Sequence, residues 1–153
     1  MSLKTSIILC TYNEEKHIEK TIVELEKNIS NLSMNNSLFQ GSCHCGRINF
    51  QVKDTRISED LYKCNCSLCK KKGIVMKPLE KNLFKLIKGE EFLSSYKWNK
   101  LIAEHFFCKI CGVYTHHKRR RNPEQISINF ACLENISFPS EGEIDCVDGA
   151  SHD

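Results

Sequence analysis

Apolar positions follow two different periods along this chain, and the change falls within a polar stretch. Near the N-terminus, KTSIILCTY (residues 4–12) is a short apolar run suited to a buried strand. Asn13 then offers an N-cap, and Glu14 and Glu15 sit in the first turn, where the helix dipole favours negative charge. Ile18, Ile22, Leu25, Ile29 and Leu32 follow at steps of three and four, which places them on one helical face. The pattern predicts a strand–turn–helix extension over residues 1–33, and SNLSMNNS reads as a polar linker that runs into the next domain.

From Leu38 the period turns to that of β structure. LFQGSCHCGRINFQV, LFKLIKG, AEHFFC, GVYTHH and ISINFACL are short runs rich in branched and aromatic residues, punctuated by glycines. They predict a mainly β domain over residues 34–153. The tail, EGEIDCVDGASHD, is acidic and rich in turn formers, and its end reads as frayed. No internal repeat interrupts the pattern.

Composition narrows the class. With 41% hydrophobic and 27% charged residues the chain reads as soluble and globular, and a net charge of +3 is too mild to argue for a nucleic-acid partner. No apolar run is long enough to cross a bilayer. SIILC is too short for a signal-peptide core, and acidic residues follow it directly, so a reducing, cytoplasmic setting is the expectation. That matters because the chain holds 10 cysteines, and in a reducing compartment clustered cysteines bind metal more often than they form disulfides.

Seven of those cysteines fall into three motifs. In CKICG the Cys108–Cys111 turn aims two thiolates at one ion, and Gly112 tolerates the positive φ that turns backbone N–H groups toward sulfur. CHCG supplies a second pair, because Cys43 and Cys45, two apart on a strand, project from the same face. Cys43, Cys45, Cys108 and Cys111 together make a four-cysteine structural zinc site, against the competing reading of a redox Cys-x-x-Cys. The third motif, CNCSLC, leaves Cys64, Cys66 and Cys69 one ligand short of a tetrahedron. Spacing alone leaves three readings open: a zinc site with an exchangeable fourth position, a site closed by Cys132, His44, His105, His116 or His117, or three thiols without metal.

GSCHCGRINFQV, YKCNCSLCKKKG, FKLIKGEEFLSSYKWN, AEHFFCKICGVY and ISINFACLENI, in this order and at these intervals, resemble the glutathione-dependent formaldehyde-activating enzyme family, which includes centromere protein V. VDGASHD resembles the family's usual ending. The resemblance implies a zinc-bound β-tent fold of two packed antiparallel sheets. It implies a structural zinc on Cys43, Cys45, Cys108 and Cys111 and a catalytic zinc on Cys64, Cys66 and Cys69, two per chain. It further implies a carbon–sulfur lyase, similar to S-(hydroxymethyl)glutathione synthase, acting on a small-molecule thiol and aldehyde with glutathione as co-substrate. Lys70–Lys72 or Arg119–Arg121 could hold the carboxylates of glutathione, against the plainer reading of two solvated basic loops. The competing class is a non-enzymatic zinc module for a protein or nucleic-acid partner, and a weaker third is a redox or metal-buffering protein.

The N-terminal SIILCTYNEEKHIEKTI resembles the opening strand and helix of family-two glycosyltransferases. The resemblance stops near Leu32, and the acidic motifs that hold the nucleotide and its metal in that family do not follow. Residues 1–33 therefore read as a fused remnant or extension without an active site of its own.

Overall fold

The computed structural model of the chain describes residues 17–25 and 38–152, which fall in two units, Met1–Asn36 and Ser37–Asp153. In the first, residues 17–25 form a helix, α1, in which Thr21 Oγ1 donates to the His17 carbonyl at 2.8 Å. Ile18, Ile22 and Leu25, three positions of the expected apolar face, are exposed. The expected strand at residues 4–12, the Asn13 cap and face positions Ile29 and Leu32 lie outside the described residues.

The second unit is mainly β. Strands β1 (Leu38–Ser42), β2 (Asn49–Lys53) and β5 (Phe84–Lys88) pair antiparallel in a small sheet of order β1-β2-β5. The larger sheet takes β3 (Tyr62–Cys64), β4 (Met76–Glu80), β6 (Leu93–Tyr96), β7 (Glu104–Cys108), β8 (Tyr114–Lys118), β9 (Gln125–Asn129) and β10 (Asp145–Val147). Its order is β10-β3-β4-β9-β8-β7-β6. One pair departs from the antiparallel expectation: β10 runs parallel to β3, with Asp145 opposite Tyr62 and Val147 opposite Cys64. A parallel neighbour requires a long crossover, and the chain from β4 to β9 supplies it. The acidic, turn-rich tail is thus paired, at Asp145–Val147, to the edge of the large sheet.

The two sheets close on a shared core. Phe50 and Val52, alternate residues of β2, are fully buried in a cluster with Leu79 of β4, Ile126 and Ile128 of β9, and Phe130, all of them buried. The Phe84 ring of the small sheet lies 5.3 Å from Phe50 and 4.7 Å from His116 of the large sheet. Each such aliphatic or aromatic side chain contributes about 1.5–3 kcal/mol by leaving water.

Strand β4 escapes a reading by pattern because Lys77 and Pro78 stand in its middle. Lys77 is 3% exposed, pairs with Asp54 at 3.2 Å, and donates to the carbonyls of Arg56 and Glu59 at 2.8 and 2.9 Å. Its ammonium thereby fixes the β2–β3 loop. Pro78 sits opposite Ser127 of β9, while β3 pairs with β4 at Tyr62–Met76, so beyond that pair Pro78 occupies an edge and costs no ladder bond.

Candidate functional site

Two groups of sulfur atoms stand in the β unit, each drawn together within 4.8 Å. The first joins Cys43, Cys45, Cys108 and Cys111. Cys43 and Cys45 lie in the turn after β1 rather than on a strand, and Gly46, at φ 69°, bends the chain so that both sulfurs converge. Cys108 ends β7, and Gly112, at φ 73°, turns its N–H back to the Cys108 carbonyl at 2.8 Å. The Cys43–Cys45 and Cys45–Cys108 sulfurs are 3.6 and 3.7 Å apart. A tetrahedral ion with metal–sulfur bonds of about 2.3 Å requires sulfur edges of about 3.8 Å, so the cage fits zinc.

The local field prepares these thiols unequally. Burial pushes the Cys43 thiol up to about 11, against the Ile48 N–H that donates to its sulfur at 3.3 Å. Cys111 also suffers desolvation, yet backbone N–H groups of Val113 and Cys45 bring it down to about 6. The cage ties the β1–β2 turn of the small sheet to the β7–β8 turn of the large one.

The second group is local. Cys64 ends β3, Cys66 caps the short helix α2 (Ser67–Lys72) with its sulfur accepting the Cys69 N–H at 3.4 Å, and Cys69 lies one helical turn on. Burial raises the Cys69 thiol, and the neighbouring charges of Cys64 and Cys66 raise it further; burial raises Cys64 as well. Three thiolates so placed repel one another, and a divalent cation among them reverses that cost. The donor set therefore fits a metal.

No other Cys, His, Asp or Glu among the described residues joins this group. Cys132 donates its S–H to the Tyr114 carbonyl at 3.4 Å, and burial pushes its thiol up to about 12. His44 is exposed in the β1–β2 turn. His116 stacks on Phe106 at 4.5 Å with Nδ1 against Thr115 Oγ1 at 3.0 Å. His105 and His117, opposite each other on β7 and β8, both engage the Tyr114 hydroxyl through Nδ1.

The three thiols open on a cleft of about 140 Å³. Arg119, Arg120, Arg121 and Lys100 line it, whereas Lys70 and Lys71 are exposed on α2 and Lys72 lies over the Tyr114 ring at 3.9 Å. Tyr62, Trp98 and Gly149, given no role by the sequence, also line the cleft, as do His105 and His117, which the sequence offered only as a fourth metal ligand. The ending VDGASHD was the only signal for Gly149. There Asn65 Oδ1 accepts the N–H groups of Gly149 and Ala150, each at 2.8 Å, and Asn65 donates to Asp148 at 3.1 Å. The tail is thereby pinned over Cys64, close enough that a Cβ on Gly149 would collide with the Cys64 sulfur.

A crystal structure of a Rhodobacter sphaeroides protein matches with a TM-score of 0.66 and 34% identity, over 71% of this chain and 99% of that one. The family model of the glutathione-dependent formaldehyde-activating enzyme matches residues 38–145, a span that takes in both sulfur groups and most of the cleft. On that match the chain belongs to the glutathione-dependent formaldehyde-activating enzyme family.

Proposed function

We propose that this chain is a zinc-dependent carbon–sulfur lyase that adds glutathione, or a related thiol, to a small aldehyde such as formaldehyde, and removes it again. Family membership supports work on thiols and aldehydes. The observation that carries the finer reading is a group of three thiols, with no fourth side-chain donor among the described residues, facing a cleft rimmed with arginine. In this reading Cys43, Cys45, Cys108 and Cys111 hold a structural zinc, and Cys64, Cys66 and Cys69 hold the catalytic one. Zinc held by these three thiolates would supply a Lewis acid that acidifies an incoming thiol and eases the loss of its proton as it attacks.

The chain's own residues bind and orient. Glutathione carries two carboxylates, and Arg119–Arg121 with Lys100 offer them cationic partners in the lining of the cleft. Trp98, Met76 and Ile102 give the cleft apolar surface that excludes water from the reacting sulfur and carbon. Formaldehyde is reactive and small, so orienting a thiol beside it supplies much of the rate.

Metal content and glutathione binding of the purified chain test the proposal. About two zinc ions per chain are expected, and Cys66→Ala should keep about one together with its circular dichroism while losing glutathione binding. Two zinc ions without glutathione binding would overturn the enzyme reading in favour of a non-catalytic zinc module.

A further inference from the structure

His105, Tyr114 and His117 form a buried chain of hydrogen bonds. The Tyr114 hydroxyl lies 2.7 Å from His117 Nδ1 and 3.1 Å from His105 Nδ1, and the two imidazoles stack with centroids 5.0 Å apart. Both rings line the cleft onto which the three thiols open. Both are neutral: burial, followed by the charge of Lys72, brings His105 down to about 4, and burial holds His117 well below the usual histidine range.

A neutral imidazole has one N–H, and the tyrosine hydroxyl has one O–H. Of the two arrangements these groups allow, the shorter contact favours Tyr114 as donor to His117 Nδ1, which leaves the Tyr114 oxygen to accept the Nδ1–H of His105 over the longer one. His117 then carries its proton on Nε2 and His105 has a lone pair there. In that arrangement one hydroxyl holds two matched histidines in opposite tautomers.

We propose that His105 and His117 are catalytic residues of the thiol–aldehyde addition and that Tyr114 is the positioning residue through which a proton passes between them. This inference rests on the function proposed above. As the S–C bond forms, the thiol proton passes to His105 Nε2. The His105 Nδ1 proton moves to the Tyr114 oxygen, the Tyr114 proton to His117 Nδ1, and the His117 Nε2 proton to the carbonyl oxygen as its π bond breaks. Thiol and aldehyde become the hydroxymethyl thioether with no net charge moved into or out of the protein and nothing oxidised. Both tautomers are left inverted, which is the arrangement that elimination, the reverse reaction, requires.

Long-range ¹⁵N–¹H correlation spectra of the zinc-loaded full chain at neutral pH read the tautomers without any substrate. Nδ1–H on His105 and Nε2–H on His117 are expected, and like tautomers or an imidazolium would overturn the relay. Tyr114→Phe keeps the ring and removes the bridge. With that change, the exchange rate between glutathione–formaldehyde adduct and free thiol, followed by NMR, should fall about 100-fold, within the range for general acid–base catalysis, while glutathione affinity holds. An unchanged rate refutes the relay. A wild-type chain that neither binds glutathione nor accelerates exchange refutes the enzyme reading and the relay with it, whereas like tautomers in a chain that does catalyse refute the relay alone.

Discussion

A single methyl group at position 149 should separate the two sulfur clusters experimentally. Gly149→Ala places a Cβ against the Cys64 sulfur and 3.1 Å from Cys66 Cβ. The backbone there is not left-handed, so the penalty is steric, not conformational. Crowding of this kind costs about 1–3 kcal/mol. Relief comes either by displacing the Cys64 sulfur or by lifting the tail, which gives up the two 2.8 Å bonds to Asn65 at about 1 kcal/mol each. Either way the three-thiol group loses its geometry. Its zinc affinity should fall about 5- to 150-fold, since about 1.4 kcal/mol is a factor of ten. Competition with a chromophoric chelator would resolve a weakened class of zinc beside an unchanged one held by Cys43, Cys45, Cys108 and Cys111. Gly142→Ala is the control, because nothing lies within 4 Å of the added carbon. Two unchanged affinities in Gly149→Ala would refute the packing of the tail on Cys64.

Other consequences follow from the same contacts. Lys77→Met leaves Asp54 and two carbonyls without their ammonium and should lower stability in denaturant by about 3–5 kcal/mol, the cost of breaking a buried pair; a loss under about 1 kcal/mol would mean that Lys77 does not fix the loop. Burial, followed by the charge of Lys118, holds His116 down to about 4, below the ordinary value of 6.5. The unfolded chain therefore takes up a proton that the folded chain refuses. Stability attributable to His116 is intact above pH about 6.5 and falls toward pH about 4, with a limiting slope of about 1.4 kcal/mol per unit. His116→Phe should shift stability by a constant amount above that window and flatten the slope within it, and an unchanged slope counts against the assignment. EDTA should strip the three-thiol zinc first with the near-ultraviolet spectrum retained, and unfolding should accompany loss of the second ion. We also propose that residues 1–33 are separable, so a chain beginning at Met34 should fold and take up the same zinc; failure of either would show that the extension belongs to the domain.

How much of this the sequence disclosed depends on how locally each feature is encoded. The four-cysteine cage was legible because its ligands come as two short pairs, each followed by a glycine whose positive φ is a property of the turn itself. Strands β2, β7, β8 and β9 were legible because branched and aromatic residues recur along them, a composition suited to strands whatever their burial. Strand β4 was not, since a buried lysine satisfied by Asp54 and two carbonyls looks like a surface residue until its partners are seen. Nor was β10: DCV inside an acidic tail carries no β signal, and its pairing depends on β3, which lies far away in sequence.

The cleft shows the same limit from the side of function. Cys64, Cys66 and Cys69 lie within six positions and announce themselves, but what faces them does not. Trp98 precedes β7, His105 and His117 come from adjacent strands in register, Arg119–Arg121 follow β8, and Gly149 follows β10. Only the sheet order β10-β3-β4-β9-β8-β7 brings these segments to one side of the thiols. The HHKRRR run, which no single motif explained, divides along the alternation of a strand end. His116 points to the Phe84 and Phe106 rings, while His117 turns to Tyr114 and the cleft. The arginines begin where the strand stops, and all three line the cleft instead of the core. A basic run that reads as solvated loop by composition is, by register, the wall of the site.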